Sequence, residues 1–438
     1  MAFLQQLVFL VVLSVAGYFI RKRVLRIKGN IRLGKANPIT DHKSERLKNV
    51  LLVSFGQRKM FKRLVPATFH FFIYAGFLII NLEVLEFIID GLSGTHRIFA
   101  PYLGGLYNVL MNVFEFLAVA VLVACVAFLI RRNVLRVPRF WSAEMTRWPR
   151  MDANLILTIE IVLMCAILTM NASDQVLQTR SEHYTPTGSL IFSSFLIPFF
   201  QNIDTPALEF IERFAWWFHI IGILGFSVYI TYSKHLHIFM AFLNTYYARL
   251  EPKGQINNMP VVTREVKSML GLAVADAIAP TEPGRFGAKD INDLTWNNLM
   301  AAYACTECGR CTAECPANLT GKKLSPRKIM MDVRDRMEEV GNSLEKGGAG
   351  LNDGKTLLGN YITKEEINAC TSCNACVEAC PVMINPLEII LEVRRYVSME
   401  ESGAPAQWNA MFQNIETSFA PWKFSPADRF NWAKEIKK

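Results

Sequence analysis

The chain has 438 residues, 51% of them hydrophobic and only 19% charged, which is more apolar than the roughly 45–50% of an ordinary soluble protein. Its net charge is +9, so a small set of charges carries a strong bias. A disordered, collagenous or wholly secreted soluble chain is excluded, and a membrane protein with a soluble part remains. Of the ten cysteines, Cys125 and Cys165 stand alone in apolar stretches, and the other eight fall in two tight groups after residue 304. A disulfide framework would spread them out, so the grouping points to metal clusters in a reducing compartment.

A membrane crossing needs about 20 apolar residues. Five stretches qualify, at about 1–20, 65–89, 106–130, 155–170 and 214–232. A sixth apolar run, 190–200, contains Pro198; it is too short to cross and reads as an interfacial segment. The first run reads as an anchor rather than a signal peptide. No basic residue precedes it, an Arg/Lys cluster follows it, and no small-residue cleavage site ends it.

Orientation follows from the basic residues. The loop after the first span carries Arg21, Lys22, Arg23, Arg26, Lys28, Arg32, Lys35 and others up to Arg63, and the third span is followed by Arg131, Arg132, Arg136, Arg139, Arg147 and Arg150. The other two loops hold only Arg97, Arg180 and, at the edge of the fifth span, Arg213. The positive-inside rule therefore puts the N-terminus outside and everything after about residue 240 in the cytoplasm. The basic balance is a topology signal and calls for no nucleic acid.

Of the seven histidines, three bear on function. His70 lies near the cytoplasmic side of the second span, His219 early in the fifth, and His237 eighteen residues later at the inner edge. In one continuous helix that spacing is five turns at about 3.6 residues each, so His219 and His237 would share a face about 27 Å apart, while His235 would point about 200° away from His237. A single intramembrane histidine can serve a helix–helix hydrogen bond. Two on one face exceed that need, because ionisable groups in lipid are costly, and imidazole is a standard axial ligand of haem iron. Glu83, Glu86, Glu115 and Glu160 also fall inside spans. Each reads either as a hydrogen-bonded group facing the bundle or as a proton relay.

Residues 251–300, with Pro252, Gly254, Pro260, Pro280, Pro283 and Gly284, read as a linker. Then comes CTECGRCTAECP, with Cys305, Cys308, Cys311 and Cys315, and later CTSCNACVEACP, with Cys370, Cys373, Cys376 and Cys380. Both match the C-x2-C-x2-C-x3-C-P run of two-cluster ferredoxins, in which three cysteines wrap one cluster and the fourth ligates the other. The expected groups are Cys305, Cys308, Cys311 and Cys380 on one [4Fe–4S] cluster, and Cys370, Cys373, Cys376 and Cys315 on the second. Zinc would want two pairs of ligands without a third cysteine in each run. More than fifty residues separate the motifs, including the helical run SPRKIMMDVRDRMEEV. The domains expected are a membrane part (1–245), a linker (246–300), a dicluster ferredoxin (301–400) and a tail (401–438). The tail's Trp408, Trp422 and Trp432 would pack on the domain or on a partner.

Two resemblances extend this reading. The stretch WWFHIIGILGFSVYITYSKHLHIF, with the five-span layout, resembles the last span of the b-haem membrane subunit of respiratory nitrate reductases. That resemblance implies that each helix-five histidine pairs with one on helix two, so His70, in ATFHFFIYAGF, would pair with His237. The second helix-two ligand would fall ten residues later, where this chain has Ile80. One haem b is thus implied on the cytoplasmic side. An outer haem on His219 is left open, with His96 or His183 as alternative partners.

The cysteine half resembles the helical ferredoxin of succinate dehydrogenase iron–sulfur subunits and of heterodisulfide reductases. The whole reads as a mainly α-helical fusion: a five-helix b-haem bundle joined to a cytoplasmic α-helical ferredoxin domain. The resemblances imply an electron-transfer subunit in a bacterial or archaeal inner membrane, linking a cytoplasmic redox partner to a membrane quinone, with menaquinone the quinone expected. No dinucleotide fingerprint, P-loop, Ser/His/Asp order or CCG motif is present, so the catalytic site falls to a partner. A CCG-type heterodisulfide-reductase-like subunit or an electron-transfer flavoprotein is expected there. The rival readings are an iron–sulfur redox sensor or membrane anchor without quinone turnover, and an ion-translocating subunit.

Overall fold

The computed structural model describes residues 2–272, 285–423 and 425–436, so Pro280, Pro283 and Gly284 of the expected linker lie outside the described residues. Five helices are long and apolar enough to cross a membrane: α1 (Ala2–Ile31), α2 (Leu64–Ser93), α3 (Gly105–Leu129), α4 (Arg147–Leu177) and α5 (Thr205–Ile230). Phe9, Ile80, Phe87, Leu117, Val121, Leu163, Trp216 and Ile220 form their common core. Without a strong hydrophobic drive between helices in lipid, close approach depends on small residues. A Cβ on Gly91 would stand 2.8 Å from the Phe9 ring, and one on Gly222 would stand 2.6 Å from Leu163. The outward faces carry exposed Leu82, Leu85, Phe210 and Phe214, as lipid contact requires. The run at 190–200 does not cross; it folds into two short turns, Ser193–Phe195 and Ile197–Phe200.

The fifth span departs from the sequence expectation at both ends. Asp204 caps α5 by accepting from the Ala207 N–H at 3.4 Å, so the helix starts nine residues before the expected 214 and His219 sits near its middle rather than its outer end. At the other end α5 stops at Ile230, and a fresh helix, α6 (His237–Tyr246), begins after a short 3-10 turn. Ser233 causes the break: its side chain accepts from the His235 N–H at 2.9 Å and so competes with the helix ladder. The shared face of His219 and His237 is therefore overturned, because no single helix carries both.

The second half packs α7 (Trp296–Ala304), α8 (Pro326–Glu345) and α9 (Pro386–Met399) around one core with Ile291, Leu294, Leu299, Ile329, Val333, Leu357, Ile389 and Val393. Each such side chain contributes roughly 1.5–3 kcal/mol when fully buried. The stretch from Ala288 onward thus belongs to this core rather than to a linker. Arg336 is fully buried, held by Asp290 at 2.8 Å and Asp353 at 2.6 Å. There is no strand among the described residues, only isolated bridges such as Lys35 with Thr295. No residue of α10 (Ala406–Ser418) is buried, and Trp408, Trp422 and Trp432 are all exposed.

The two halves meet along a wide polar seam. Arg23 of α1 forks onto Glu338 of α8 at 2.9 and 2.7 Å, and Tyr303 donates to the same carboxylate at 2.6 Å. Arg327 donates to Glu144 at 2.6 Å, Arg63 to Glu314 at 2.6 Å, and Asn244 to the Val382 carbonyl at 2.7 Å. In each of these ion pairs the cation is an arginine and the carboxylate belongs to the facing element, which fixes the ferredoxin half against one end of the bundle.

Candidate electron-transfer centres

Both cysteine motifs fold by one local rule. The helix α7 ends where Cys305 turns extended, and the chain reverses through Glu307 (φ 55°) and Gly309 (φ 69°) before the single turn Arg310–Ala313. In the second motif Ser372 (φ 56°) and Asn374 (φ 62°) stand at the same offsets from Cys370, and the turn Ala375–Ala379 follows. Left-handed backbone costs an L-residue about 1–2 kcal/mol, and only Gly309 avoids it. The turn aims backbone N–H groups at sulfur: Ser372 donates to Cys370 Sγ at 3.4 Å, and Ile384 donates to Cys380 Sγ at 3.3 Å.

Cys305, Cys308 and Cys311 line one cavity together with Cys380 of the other motif. Cys370, Cys373 and Cys376 neighbour Cys315. Among the described residues no three His, Cys, Asp or Glu side chains converge on a single-ion site. The thiols of the first group border a cavity instead of a point, and such a donor set fits a multi-iron cluster. Burial pushes the Cys305 and Cys376 thiols up to about 12 and Cys380 up to about 11. Thiolates there need the positive charge of bound metal, whose uptake releases their protons.

The first cavity abuts the bundle, and cations from the membrane loops gather near it. Burial pulls Lys59 down to about 8 and Arg139 down to about 10, with the Cys380 and Cys308 sulfurs acting in the opposite sense. Glu307, only 3% exposed, joins the halves: it takes Arg334 at 2.6 Å and also Lys234. Burial works to raise its carboxyl, yet Arg334 and Lys234 hold it below the usual carboxylate range. The sequence reading passed over Glu307, Arg310 and Lys234. The one available signal was a carboxylate placed between two ligands in CTEC.

The same end of the bundle brings histidines together. The His70 and His237 rings lie 6.4 Å apart, the His235 and His237 rings 5.5 Å apart. The expectation that His235 points away is therefore corrected, since the break at Ser233 re-aims it. His237 Nδ1 sits 3.1 Å from the Lys234 carbonyl, and His70 Nδ1 is buried with no partner. Burial lowers His237 to about 4, which keeps it neutral, the form a metal ligand needs. An iron between two imidazole nitrogens at about 2 Å each would set the ring centres roughly 6 Å apart, so this pair fits a bis-histidine haem.

His219 stands apart. Its Nδ1 faces the Leu163 carbonyl at 3.0 Å, its Nε2 is buried without a partner, and the Phe87 ring lies 5.9 Å away. The suggested outer partners are placed elsewhere: His96 faces Asp174 at 3.2 Å, and His183 is exposed. Of the two cysteines that stand alone in apolar stretches, Cys125 is buried in the bundle core, whereas Cys165 is exposed on the outside of its helix.

These features define a mainly helical membrane protein with iron–sulfur chemistry. Residues 304–384 match the family description "4Fe-4S dicluster domain". The chain is 27% identical over 459 residues to the probable iron-sulfur-binding oxidoreductase FadF of Bacillus subtilis, covering 98% of this chain and 61% of that protein. It is 25% identical over 425 residues to EtfAB:quinone oxidoreductase of Syntrophomonas wolfei, covering 90% and 55% respectively. A probable membrane-anchored ferredoxin of Chromohalobacter salexigens is 33% identical over 181 residues, 38% of this chain and 26% of that protein. The chain therefore spans about three fifths or less of these relatives' own lengths. No solved structure matches it significantly.

Proposed function

We propose that the chain is a membrane-bound electron-transfer subunit, passing electrons between a cytoplasmic redox partner and the membrane quinone pool through two [4Fe–4S] clusters and haem b. The observation carrying this reading is adjacency. The cavity of Cys305, Cys308, Cys311 and Cys380 lies at the bundle end where Lys234 pairs with Glu307 of the first cysteine motif and turns its carbonyl to His237, and His237 faces His70. When bound, the clusters and the haem supply one-electron redox chemistry. The chain's residues hold and tune them: Lys234 fixes the His237 tautomer through its carbonyl, and Met330, Val382 and Ile384 wall the first cavity. Lys59, Arg139 and Arg310 offset the negative charge of the thiolates.

The arginine-rich loops support a cytoplasmic ferredoxin half in an inner membrane. A relative's name, EtfAB:quinone oxidoreductase, supports a quinone as the membrane reactant, with menaquinone our expectation, and favours an electron-transfer flavoprotein over a CCG-type subunit as the soluble partner. For a second haem only half the donor set is present, His219. One haem is therefore proposed.

The test is a visible spectrum with iron, sulfide and haem assays on the detergent-purified protein. About eight non-haem irons per chain and a b-type band reduced by a quinol are expected, with the band lost in His70→Ala and His237→Ala but kept in His235→Ala. Eight irons without haem would overturn the quinone-linked reading in favour of a sensor or anchor.

A further inference from the structure

The end of the bundle remote from the ferredoxin half holds a second polar site, built around one arginine. Arg97, in the loop after α2, is 4% exposed and adopts φ 55°. It points between the helices, with Nε 3.0 Å from Asp174, Nη2 2.7 Å from Asn171 and Nη1 3.8 Å from Glu83. Five carboxylates surround it, each buried: Glu83, Glu86, Asp90, Glu115 and Asp174. His96 is the other basic group at the site, facing Asp174 at 3.2 Å.

Four of the five carboxylates are furnished with donors. Glu86 accepts from Tyr107 Oη at 2.7 Å and the Phe99 N–H at 3.0 Å. Asp90 accepts from the N–H groups of Arg97 (2.8 Å) and Ile98 (3.1 Å) and from Thr95 Oγ1 (2.7 Å). Glu115 accepts from the Phe192 and Ser193 N–H groups at 2.9 and 3.2 Å, from Asn171 at 3.3 Å and from the Ser193 hydroxyl. Asp174 Oδ2 accepts from Arg97 and Gln178, while its Oδ1 has no hydrogen-bond partner and faces His96 at 3.2 Å. Glu83 differs. It is 2% exposed, its Oε1 has no hydrogen-bond partner, and its one counter-charge is Arg97 at 3.8 Å.

Donors stabilise the ionised form of a carboxylate, and neighbouring like charges destabilise it. Five buried anions against one guanidinium cannot all persist, because an uncompensated buried charge is prohibitively costly. The groups that bear on Glu83 are Arg97 from the loop, Glu86 on its own helix and Glu115 from α3. The outer half of α1 brings no charged side chain. We propose that this site is a proton-holding site whose proton resides on Glu83, exchanging with the aqueous face remote from the clusters by way of part-exposed His96.

Resting on the quinone-linked reading, its role is to hand protons to and from the membrane quinone. For each quinone reduced by two electrons and two protons, Glu83 would give up its proton to a quinone oxygen, be refilled past His96, and give a second. Quinol oxidation would run the same two proton transfers in reverse, the protons leaving by the same carboxyl.

Infrared difference spectroscopy of the purified full chain, in H2O minus D2O, tests the first part without any quinone, because in the carboxylic-acid region only a protonated carboxyl shifts its C=O band on deuteration. A protonated-carboxyl C=O band is expected in the wild type and in Glu86→Gln, and is expected to vanish in Glu83→Gln. Its persistence in Glu83→Gln, or its absence from the wild type, overturns the assignment. Iron and haem content identify any variant that fails to fold. Quinol-driven haem reduction should then slow about 10²–10⁴-fold in Glu83→Gln, with dithionite-driven reduction unchanged. An unaltered quinol rate in Glu83→Gln overturns the proton role. A wild type that shows the band but does not react with quinol would sink the quinone reading and leave the proton on Glu83 standing.

Discussion

The two ends of the helix bundle are polar in opposite ways. At the end facing the ferredoxin half, cations from membrane loops and helix ends (Arg23, Arg63, Lys234) find carboxylates on the other half: Glu338, Glu314 and Glu307. Paired histidines lie just inside. At the far end the ratio inverts, with five carboxylates turned inward on Arg97, His96 beside Asp174, and His219 deeper in the core. A matched set of charges can stay ionised and lock two bodies together. A mismatched set must carry protons. On the two proposals above, electrons enter at one end and protons exchange at the other, which is the separation a quinone-linked wire requires.

The largest expected effect concerns the near end. Cys305→Ser or Cys380→Ser should remove one cluster and leave about four of about eight non-haem irons, measured by iron assay and paramagnetic resonance. Cys315→Ser should remove the other cluster. Loss of the same spectral species in Cys380→Ser and Cys370→Ser would break the crossed grouping. Next, His237→Ala should abolish the haem band, while His219→Ala should leave it at full intensity per chain. A halved haem content in His219→Ala would show a second haem and blur the contrast between the ends.

At the far end, Arg97→Ala removes the one cation from a buried acidic site and should cost about 3–5 kcal/mol, seen as a large drop in melting temperature in detergent. Smaller still is the effect at the seam. Burial opposes ionisation of Glu338, but the Arg23 fork and Tyr303 hold its carboxyl below the usual range. Its folded value lies below an unfolded one of about 4.3, so the stabilisation is complete above that pH and is lost as pH falls through the lower folded value. Glu338→Gln should lower stability at neutral pH by about 1.5–3 kcal/mol and flatten the loss seen on acidification below about pH 4.3.

What could be read in the sequence follows from how local each constraint is. Five apolar runs announce five helices, because lipid demands length and apolarity from every residue in turn. The cysteine spacing is legible for a similar reason, since ligation ties residue type to offset within a dozen positions. The break before His237 was not legible. Thr231 and Ser233 are ordinary in a helix, and only the cap that Ser233 places on the His235 N–H ends α5. The start of α5 was misread because Glu209, Glu212 and Arg213 interrupt the apolar pattern, yet Glu212 is buried and bonded to Arg213. Arg97 read as a stray loop charge. Its partners come from three helices and its backbone conformation is left-handed, neither of which has a sequence signature.

The central claim is that the His70–His237 pair joins the membrane to the first cysteine group, and anaerobic stopped-flow reduction by a quinol tests it most directly. In the wild type the haem band should reduce first, followed by bleaching of the cluster absorbance. In His237→Ala with clusters intact, bleaching by quinol should fall at least about a hundredfold while dithionite still reduces the clusters. Clusters that bleach with quinol at the wild-type rate in His237→Ala would contradict the account, because electrons would then reach them without passing between the two histidines.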